Sequence, residues 1–280
     1  MIQLVPRLPR FALLAFTAPL LLCGEVRAQS ADASAWVKDA HSALRLVAGS
    51  RNGAILLGGL ALKLDSGWKT YWRTPGDSGV PPRFDFSRSD NVASVTVLWP
   101  APTKFPDGAG GTSYGYRNDV LLPLRITPVK PERPVVLRAE VSYAVCEKLC
   151  VPVDAKAEVG FANEASSEDG ALMTALAAVP QPAKLGDPNA LTIRDVRRDG
   201  NQVVVDTSAP DGVTVDLFAE GPTADWSLPS PEPLERLPGG NQRFRFALDG
   251  LPLGIKPDGA ALKLTLTGGG RAREFEVRLN

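Results

Sequence analysis

The chain has 280 residues, with 31 lysines and arginines against 31 aspartates and glutamates, so its formal net charge is zero. This balance gives no electrostatic basis for binding nucleic acid or an anionic membrane surface. Short apolar segments separated by 25 prolines and 26 glycines are typical of all-β domains, and the length suits two domains of roughly 100–130 residues each.

The N-terminus predicts a cleaved secretory signal peptide over residues 1–28. Arg7 and Arg10 precede an apolar run, Phe11–Leu22, which is too short to span a bilayer and is followed by a cleavage site at Val26–Ala28. We therefore expect export, with no stable membrane insertion of the mature chain.

Removal of the leader also removes Cys23 and leaves Cys146 and Cys150 as the cysteines of the mature chain. In an oxidising compartment disulfides persist, so these two residues form the one possible intramolecular pair.

The region 29–162 shows short apolar or alternating segments that predict strands of a β-sandwich. The predicted strands are Ser42–Ala48, Ala54–Lys63, Ser94–Trp99, Val120–Ile126, Val135–Tyr143 and Ala157–Phe161. Turns are predicted at Thr74–Asp77 and Pro81–Pro82, and a glycine-rich loop at Asp107–Tyr116.

A change in composition predicts one short helix within Asn163–Val179, with Ser166 or Ser167 as N-cap, followed by a linker at Pro180–Pro188. The region 189–280 then resumes the β pattern and is expected to form a second β-sandwich. Its predicted strands are Leu191–Val196, Gln202–Thr207, Val213–Phe218, Arg243–Leu248, Ala261–Thr267 and Glu274–Leu279.

Several kinds of site are excluded by the residue inventory. One histidine, His41, and two mature cysteines cannot form an ordinary four-ligand zinc site. The chain also lacks a phosphate-binding glycine motif and a Gly-x-Ser-x-Gly nucleophile motif. We expect no cofactor and no metal as a resident group.

Two features remain as candidates. Trp68, Tyr71 and Trp72 lie within five residues, where they either cap the core or form a wall beside a reactive site. Cys146 and Cys150 can pair only if the intervening residues fold back as a tight turn, since four steps of strand cover about 13 Å and bridged Cα atoms lie within about 7 Å.

The spacing of the cysteines leaves three roles open. Closing so short a loop stabilises the fold by only about 2 kcal/mol, which makes the pair a weak structural bridge. A redox-active dithiol and a copper(I) site formed by two thiolates are the other two alternatives.

Four segments carry a resemblance to a known family. They are "GWKTYWRTPGDSGVPPRFDFS" (Gly67–Ser87), "VLWPAPTKF" (Val97–Phe105), "YGYRNDVLLPL" (Tyr114–Leu124) and "VSYAVCEKLCVP" (Val141–Pro152). In this order they resemble the N-terminal periplasmic domain of the DsbD/ScsB thiol:disulfide interchange proteins. The similarity is greater to the ScsB-like branch, which is associated with suppression of copper sensitivity.

The resemblance implies an immunoglobulin-like β-sandwich for the first domain. It also implies that Cys146 and Cys150 are the redox pair, with Cys150 reacting with outside partners and Cys146 resolving the mixed disulfide. The family has a cap loop with an aromatic residue over its cysteines. By position this loop corresponds to Phe105–Tyr116, so Tyr114 is the expected shielding ring, with Phe105 in the same loop.

On the same resemblance, Tyr71 and Trp72 are expected to line the site. The implied activity is that of a periplasmic thiol-disulfide oxidoreductase that passes electrons to or from thioredoxin-fold proteins. Three residues separate the cysteines here, whereas the DsbD branch has five.

The sequence contains no membrane domain and no thioredoxin-like Trp-Cys-x-x-Cys motif. A separate membrane reductase is therefore expected as electron donor. The alternatives to this function are a non-redox immunoglobulin-like binding module with a structural disulfide, and a periplasmic copper(I)-handling protein.

Overall fold

The structure is a computed structural model that describes residue 1 and residues 32–108, 110–239 and 241–280. The predicted signal peptide, residues 1–28, lies outside the described residues apart from Met1. Within the described ranges, no helix is both long enough and apolar enough to cross a membrane.

The first part of the chain forms a β-sandwich of two sheets. Its strands are β1 (Val37–Lys38), β2 (Ser42–Ala48), β3 (Leu56–Leu64), β4 (Lys69–Gly76), β5 (Arg83–Asp85), β6 (Val92–Val97), β7 (Thr103–Pro106), β8 (Thr112–Arg117), β9 (Val120–Pro128), β10 (Val135–Cys146) and β11 (Cys150–Phe161). One sheet has the order β1-β2-β3-β9-β6; the other has the order β11-β10-β4-β8-β7, with β5 paired to β10.

Alternating side chains build the core between these two sheets. In β2, Leu44 and Leu46 are fully buried, and they lie opposite Leu62 and Leu60 of β3. Because successive side chains of a strand point to opposite faces, this register directs the leucines of both strands into one apolar layer. The same pattern predicted β2 and β3 from the sequence.

Strand β8 lies largely in the segment predicted as a glycine-rich loop, Asp107–Tyr116, and the end of β4 overlaps the turn predicted at Thr74–Asp77. Strand β7 has no counterpart among the predicted strands. In β4 the consecutive residues Thr70, Tyr71 and Trp72 are all buried, so the strand lacks the alternation of buried and exposed side chains on which strand prediction depends. Both faces of this strand are covered, one by the core and the other by the residues around the cysteines.

A short helix, α1 (Asp169–Ala177), follows the first sandwich and packs against β9 and β3. Its N-cap is Glu168, rather than the expected Ser166 or Ser167. These serine hydroxyls are used elsewhere, since Ser166 donates to the carbonyl of Ala48 and Ser167 donates to a carboxylate oxygen of Asp32. Both serines therefore attach the helix start to the first sandwich.

The second sandwich follows α1 and also has two sheets. Its strands are β12 (Gln181–Ala183), β13 (Thr192–Asp199), β14 (Gln202–Ser208), β15 (Val215–Glu220), β16 (Glu232–Leu237), β17 (Asn241–Ala247), β18 (Ala261–Gly268) and β19 (Arg271–Arg278). The sheet orders are β12-β19-β18-β15 and β13-β14-β17-β16. Strand β12 lies within the predicted linker and pairs in parallel with β19.

The predicted fold class is confirmed, since the described residues form two β-sandwiches with one short helix between them. The two sandwiches are in contact. Phe218 of β15 packs on buried rings of the first sandwich, at 5.8 Å between ring centroids from Trp72 and 4.8 Å from Tyr114. The second sandwich is therefore attached beside strands β4 and β8.

Leu172 fixes α1 to the first sheet, because its side chain is fully buried above two glycines. A Cβ built at Gly59 would lie 2.9 Å from Leu172 Cδ2, and one at Gly49 would lie 3.0 Å from Leu172 Cδ1. We expect Leu172→Ala to lower the free energy of unfolding by about 2–4 kcal/mol, since it leaves a cavity over bare backbone. Chemical denaturation measures this loss.

The matched control is Met173→Ala, one residue further along α1, where the side chain is 58% exposed. Its effect should stay within about 0.5 kcal/mol, as is usual for surface positions. Equal effects of the two substitutions would contradict the assignment of Leu172 as the anchor of the helix.

Candidate redox site at the cysteine pair

The cysteines lie at the end of a long hairpin. Strands β10 and β11 pair along their whole length, and Cys146 is directly opposite Cys150 in the register. The two residues form a disulfide with a Cα–Cα distance of 4.2 Å. Glu147, Lys148 and Leu149 form the turn, in which the Glu147 N–H donates to the Leu149 carbonyl at 3.3 Å. The residues between the cysteines thus fold back tightly, as the pairing requires.

The two sulfur-bearing residues differ in their access to solvent. Cys146 is 2% exposed and belongs to a small buried cluster with Tyr71, Phe105 and Ala144. Cys150 is exposed, and its neighbour Leu149 is 80% exposed. An external thiol can therefore approach Cys150 far more easily than Cys146, which makes the pair chemically asymmetric.

The backbone of Cys150 also faces outward, because β11 is the edge strand of its sheet. The carbonyl of Ala144 accepts a hydrogen bond from Thr70 Oγ1 at 2.9 Å, so the backbone groups at this position of β10 face β4. Hydrogen-bonding direction alternates along an antiparallel ladder. Cys150 lies opposite Cys146, and Pro152 lies opposite Ala144. Cys150 and Pro152 therefore direct their backbone N–H and C=O positions outward, away from β10.

Tyr71 of β4 covers both sulfur atoms. Its phenolic oxygen lies 3.1 Å from Cys146 Sγ and 3.2 Å from Cys150 Sγ, and the residue is buried. Burial raises the pKa of Tyr71, and the negative charge of Asp107 raises this pKa further. The phenol therefore keeps its proton at neutral pH and can donate a hydrogen bond to sulfur.

Two cations lie beside the same cluster. Lys69 Nζ is 4.6 Å and Arg117 Cζ is 5.3 Å from the ring centroid of Phe105, which is itself buried. Lys69 is the register partner of Cys146 in β4. Burial lowers the pKa of Lys69, and the charge of Arg117 lowers it further. Positive charge near a cysteine stabilises its thiolate.

The structure brings together Cys146, Cys150, Tyr71 and Phe105, but it places Tyr114 and Trp72 on the other face of the sheet. Both belong to the main core of the first sandwich. The expectation that Tyr114 shields the cysteines is therefore corrected, and Tyr71 is the ring that contacts them.

Side chains alternate between the two faces of a sheet, and this alternation explains where Tyr114 and Trp72 lie. Tyr71 lies opposite Gly115, so the adjacent residues Trp72 and Tyr114 point to the opposite face. The segment expected as a cap loop, Phe105–Tyr116, forms most of the β7–β8 hairpin. Of its rings, Phe105 packs beside the disulfide.

Gly79 supports Tyr71 from the loop that follows β4. Its φ is +129°, a backbone conformation that glycine adopts readily, and a Cβ at this position would lie 2.4 Å from Tyr71 Cε1. In the sequence, Gly79 lies between the predicted turns Thr74–Asp77 and Pro81–Pro82, and nothing beside it indicates a contact with Tyr71. Lys69 and Arg117 lie in the quoted segments Gly67–Ser87 and Tyr114–Leu124, and their neighbouring residues likewise do not indicate that they lie near the cysteines.

The histidine His41 contacts Trp68 and Asp65. Its ring stacks on Trp68 at 3.7 Å between centroids, and its Nδ1 lies 3.4 Å from an oxygen of Asp65. Across the part of the chain that the structure describes, no group of three or more His, Cys, Asp or Glu residues is arranged to hold a metal ion.

Comparison with known proteins identifies related sequences and folds. Residues 42–161 match the family model "Thiol:disulfide interchange protein DsbD, N-terminal". No curated protein matches the chain significantly. The crystal structure of the N-terminal periplasmic domain of ScsB from Proteus mirabilis is similar in fold, with a TM-score of 0.72 and 21% identity over 90% of this chain and 99% of that one.

A conserved domain protein from Bacillus anthracis also aligns, with 9% identity over 86% of this chain and 77% of that one. Its TM-score of 0.26 is too low to support a structural argument.

We expect Gly79→Ala to displace Tyr71 from the sulfur atoms, because the added methyl group overlaps the ring. Reduction of the disulfide by dithiothreitol should then be several-fold faster, as followed by thiol release. Gly53→Ala is the matched control, since Gly53 also has a positive φ of +97° but a Cβ there meets nothing within 4 Å. Equal reduction rates in both variants would contradict a covering role for Tyr71.

Proposed function

We propose that the protein exchanges electrons with thioredoxin-fold partners through Cys146 and Cys150, on the basis of the match of residues 42–161 to the DsbD N-terminal family of thiol:disulfide interchange proteins. The observation that carries the proposal is the asymmetric disulfide, in which an exposed Cys150 is bonded to a buried Cys146 under the hydroxyl of Tyr71. A purely structural bridge has no need of such an arrangement.

The proposed exchange has two steps. In the reduced protein, the Cys150 thiolate attacks one sulfur of the partner's disulfide, which forms a mixed disulfide and releases the other partner sulfur as a thiolate. The Cys146 thiolate then attacks Cys150 Sγ, restores the Cys146–Cys150 bond and releases the second partner sulfur. One disulfide is reduced to a dithiol while one dithiol is oxidised, so two electrons move.

The reverse sequence reduces the protein again. One thiolate of a dithiol donor attacks Cys150 Sγ and expels Cys146 as a thiolate, which leaves a mixed disulfide. The second donor thiolate then attacks the donor sulfur of that mixed disulfide, expels Cys150 as a thiolate and closes the donor's own disulfide, so the donor is oxidised and the protein is reduced by two electrons. We propose a separate membrane reductase as this donor.

The surroundings of the pair support these roles. The Tyr71 hydroxyl is within hydrogen-bonding distance of both sulfurs, so it can donate to whichever sulfur carries negative charge. Lys69 lies near by and favours the thiolate electrostatically. A lower thiol pKa increases the thiolate fraction of Cys150 in the reduced protein, so these contacts assist its attack on a partner's disulfide.

The edge position of Cys150 supports docking of a partner chain. An extended segment of the partner can pair with the outward backbone groups of Cys150, as in other cases where a peptide adds a strand to a sheet. The exposed Leu149 beside it offers apolar contact area. Such docking aligns the attacked disulfide with Cys150 Sγ.

We further propose that this chemistry takes place in the periplasm. The predicted signal peptide supports export, and the ScsB domain with the similar fold is a periplasmic domain. A disulfide between Cys146 and Cys150 is stable in such an oxidising compartment.

The proposal predicts that the pair exchanges readily with glutathione. Equilibration in glutathione buffers should give a reduction potential near about −200 mV, whereas a structural disulfide lies below about −300 mV. A value below that limit, with no exchange with a thioredoxin-fold protein, would favour the binding module with a structural bridge. Copper(I) bound tightly by the reduced pair without such exchange would favour the copper-handling alternative.

Trapping separates the roles of the two cysteines. Cys146→Ser should accumulate a mixed disulfide through Cys150 with an oxidised periplasmic disulfide isomerase, because the resolving thiol is gone. Cys150→Ser should form no such adduct, since Cys146 is buried. Mass spectrometry after non-reducing separation detects the adduct, and adducts of equal yield from both variants would contradict the assignment.

Tyr71→Phe should raise the pKa of the Cys150 thiol by about one unit, because a hydrogen bond to a charged sulfur is lost. The pH dependence of iodoacetamide alkylation of the reduced protein measures this pKa. Tyr143→Phe is the matched control, since the buried Tyr143 hydroxyl bonds to Ser42 at 2.9 Å instead of to sulfur. Unchanged thiol pKa values in Tyr71→Phe would remove the proposed role of the phenol.

A further inference from the structure

Strand β4 is fixed to the second sandwich directly after Tyr71. Arg73 donates from Nε to Glu220 Oε1 at 2.8 Å and from Nη2 to Glu220 Oε2 at 2.7 Å, and it also donates to Glu274. Thr74 Oγ1 donates to Glu220 Oε1 at 2.8 Å. One carboxylate of the second sandwich therefore binds two consecutive residues of β4.

This contact is largely shielded from water. The side chain of Arg73 is 22% exposed and that of Glu220 is 11% exposed. Burial alone would lower the pKa of Arg73, but the hydrogen bonds and negative charges of Glu220 and Glu274 outweigh burial and raise it. The guanidinium stays charged, and a bidentate pair of this kind fixes orientation as well as distance.

The loop that supports Tyr71 is fixed to the second sandwich as well. Asp77 accepts hydrogen bonds from Ser230 N at 3.1 Å and from Ser230 Oγ at 3.2 Å. Ser230 Oγ in turn accepts from Tyr114 Oη at 2.7 Å. Two residues beyond Asp77, Gly79 lies against the ring of Tyr71. Ser230 thus joins this loop to strand β8.

Tyr71 is therefore held between two segments that the second sandwich anchors, the strand residues after it and the loop that folds back onto its ring. We propose that Glu220 and Ser230 are positioning residues for thiol–disulfide exchange, because they hold Tyr71 over the sulfur atoms of Cys146 and Cys150. This inference rests on the proposed function and assigns the second sandwich a part in it. The second sandwich then sets how easily an outside thiol reaches the pair.

The position of Tyr71 affects the first step in the reduction of the disulfide. An outside thiolate must approach Cys150 Sγ, form a bond with it and expel Cys146 as a thiolate. The ring and hydroxyl of Tyr71 lie beside both atoms. When Glu220 or Ser230 loses its contact, β4 or the loop can shift, Tyr71 moves away and the attack becomes faster.

The test compares reduction rates in the full chain. Glu220→Gln and Ser230→Ala should each increase the rate of disulfide reduction by dithiothreitol about fivefold, the change expected when one stabilising contact is lost. Tyr71→Ala should increase the rate by at least as much. In the Tyr71→Ala background, Glu220→Gln should give no further increase, because its effect acts through Tyr71.

Asp206→Asn is the matched control. Asp206 also joins arginines, Arg243 and Arg197, but it does so within the second sandwich and away from the cysteines. It should leave the reduction rate unchanged even if the thermal stability falls. Additive effects of Glu220→Gln and Tyr71→Ala, or equal effects of Glu220→Gln and Asp206→Asn, would overturn the positioning role.

The experiments distinguish a failure of the proposed function from a failure of the positioning role. If the wild-type protein does not exchange with any thioredoxin-fold protein, the proposed function fails whatever the dithiothreitol rates show. If it does exchange, and the Glu220 and Ser230 variants keep wild-type reduction rates while remaining folded by circular dichroism, only the positioning role fails.

Discussion

The alternation of side chains along β4 is the constraint on which the arrangement of this protein depends. Tyr71 and Trp72 are neighbours in the chain, so they must point to opposite faces of the sheet. One ring therefore lies on the sulfur atoms and the other lies in the core, where it meets Phe218 of the second sandwich. A single strand therefore connects the cysteine pair with the contact between the sandwiches.

The hairpin supplies a second constraint, which is register. Because β10 and β11 pair without a shift from Val135–Phe161 to Cys146–Cys150, the position of the disulfide is determined by a ladder of twelve residue pairs rather than by the turn alone. The bond joins residues that the ladder already places together. Backbone hydrogen bonds hold the hairpin along its length, so the pairing of the two strands does not depend on the disulfide alone.

The sequence was informative where its signals are local. The apolar alternation of β2 and β3, the turn between the cysteines and the resemblance of the first half could all be read from neighbouring residues. The face occupied by Tyr114 could not, because it depends on the register of β8 against β4. The sequence predicts a linker where strand β12 forms, because the pairing of β12 with β19 involves residues far away in the chain.

Pro152 disfavours self-association of the protein along the edge of its sheet. An edge strand of twelve residues such as β11 offers a template for pairing with another chain, and two copies joined in this way would begin a continuous sheet. Proline has no N–H to donate, so the outward-facing ladder is interrupted two residues after Cys150. Pairing with a second copy along this edge therefore lacks one backbone hydrogen bond at Pro152, which weakens it.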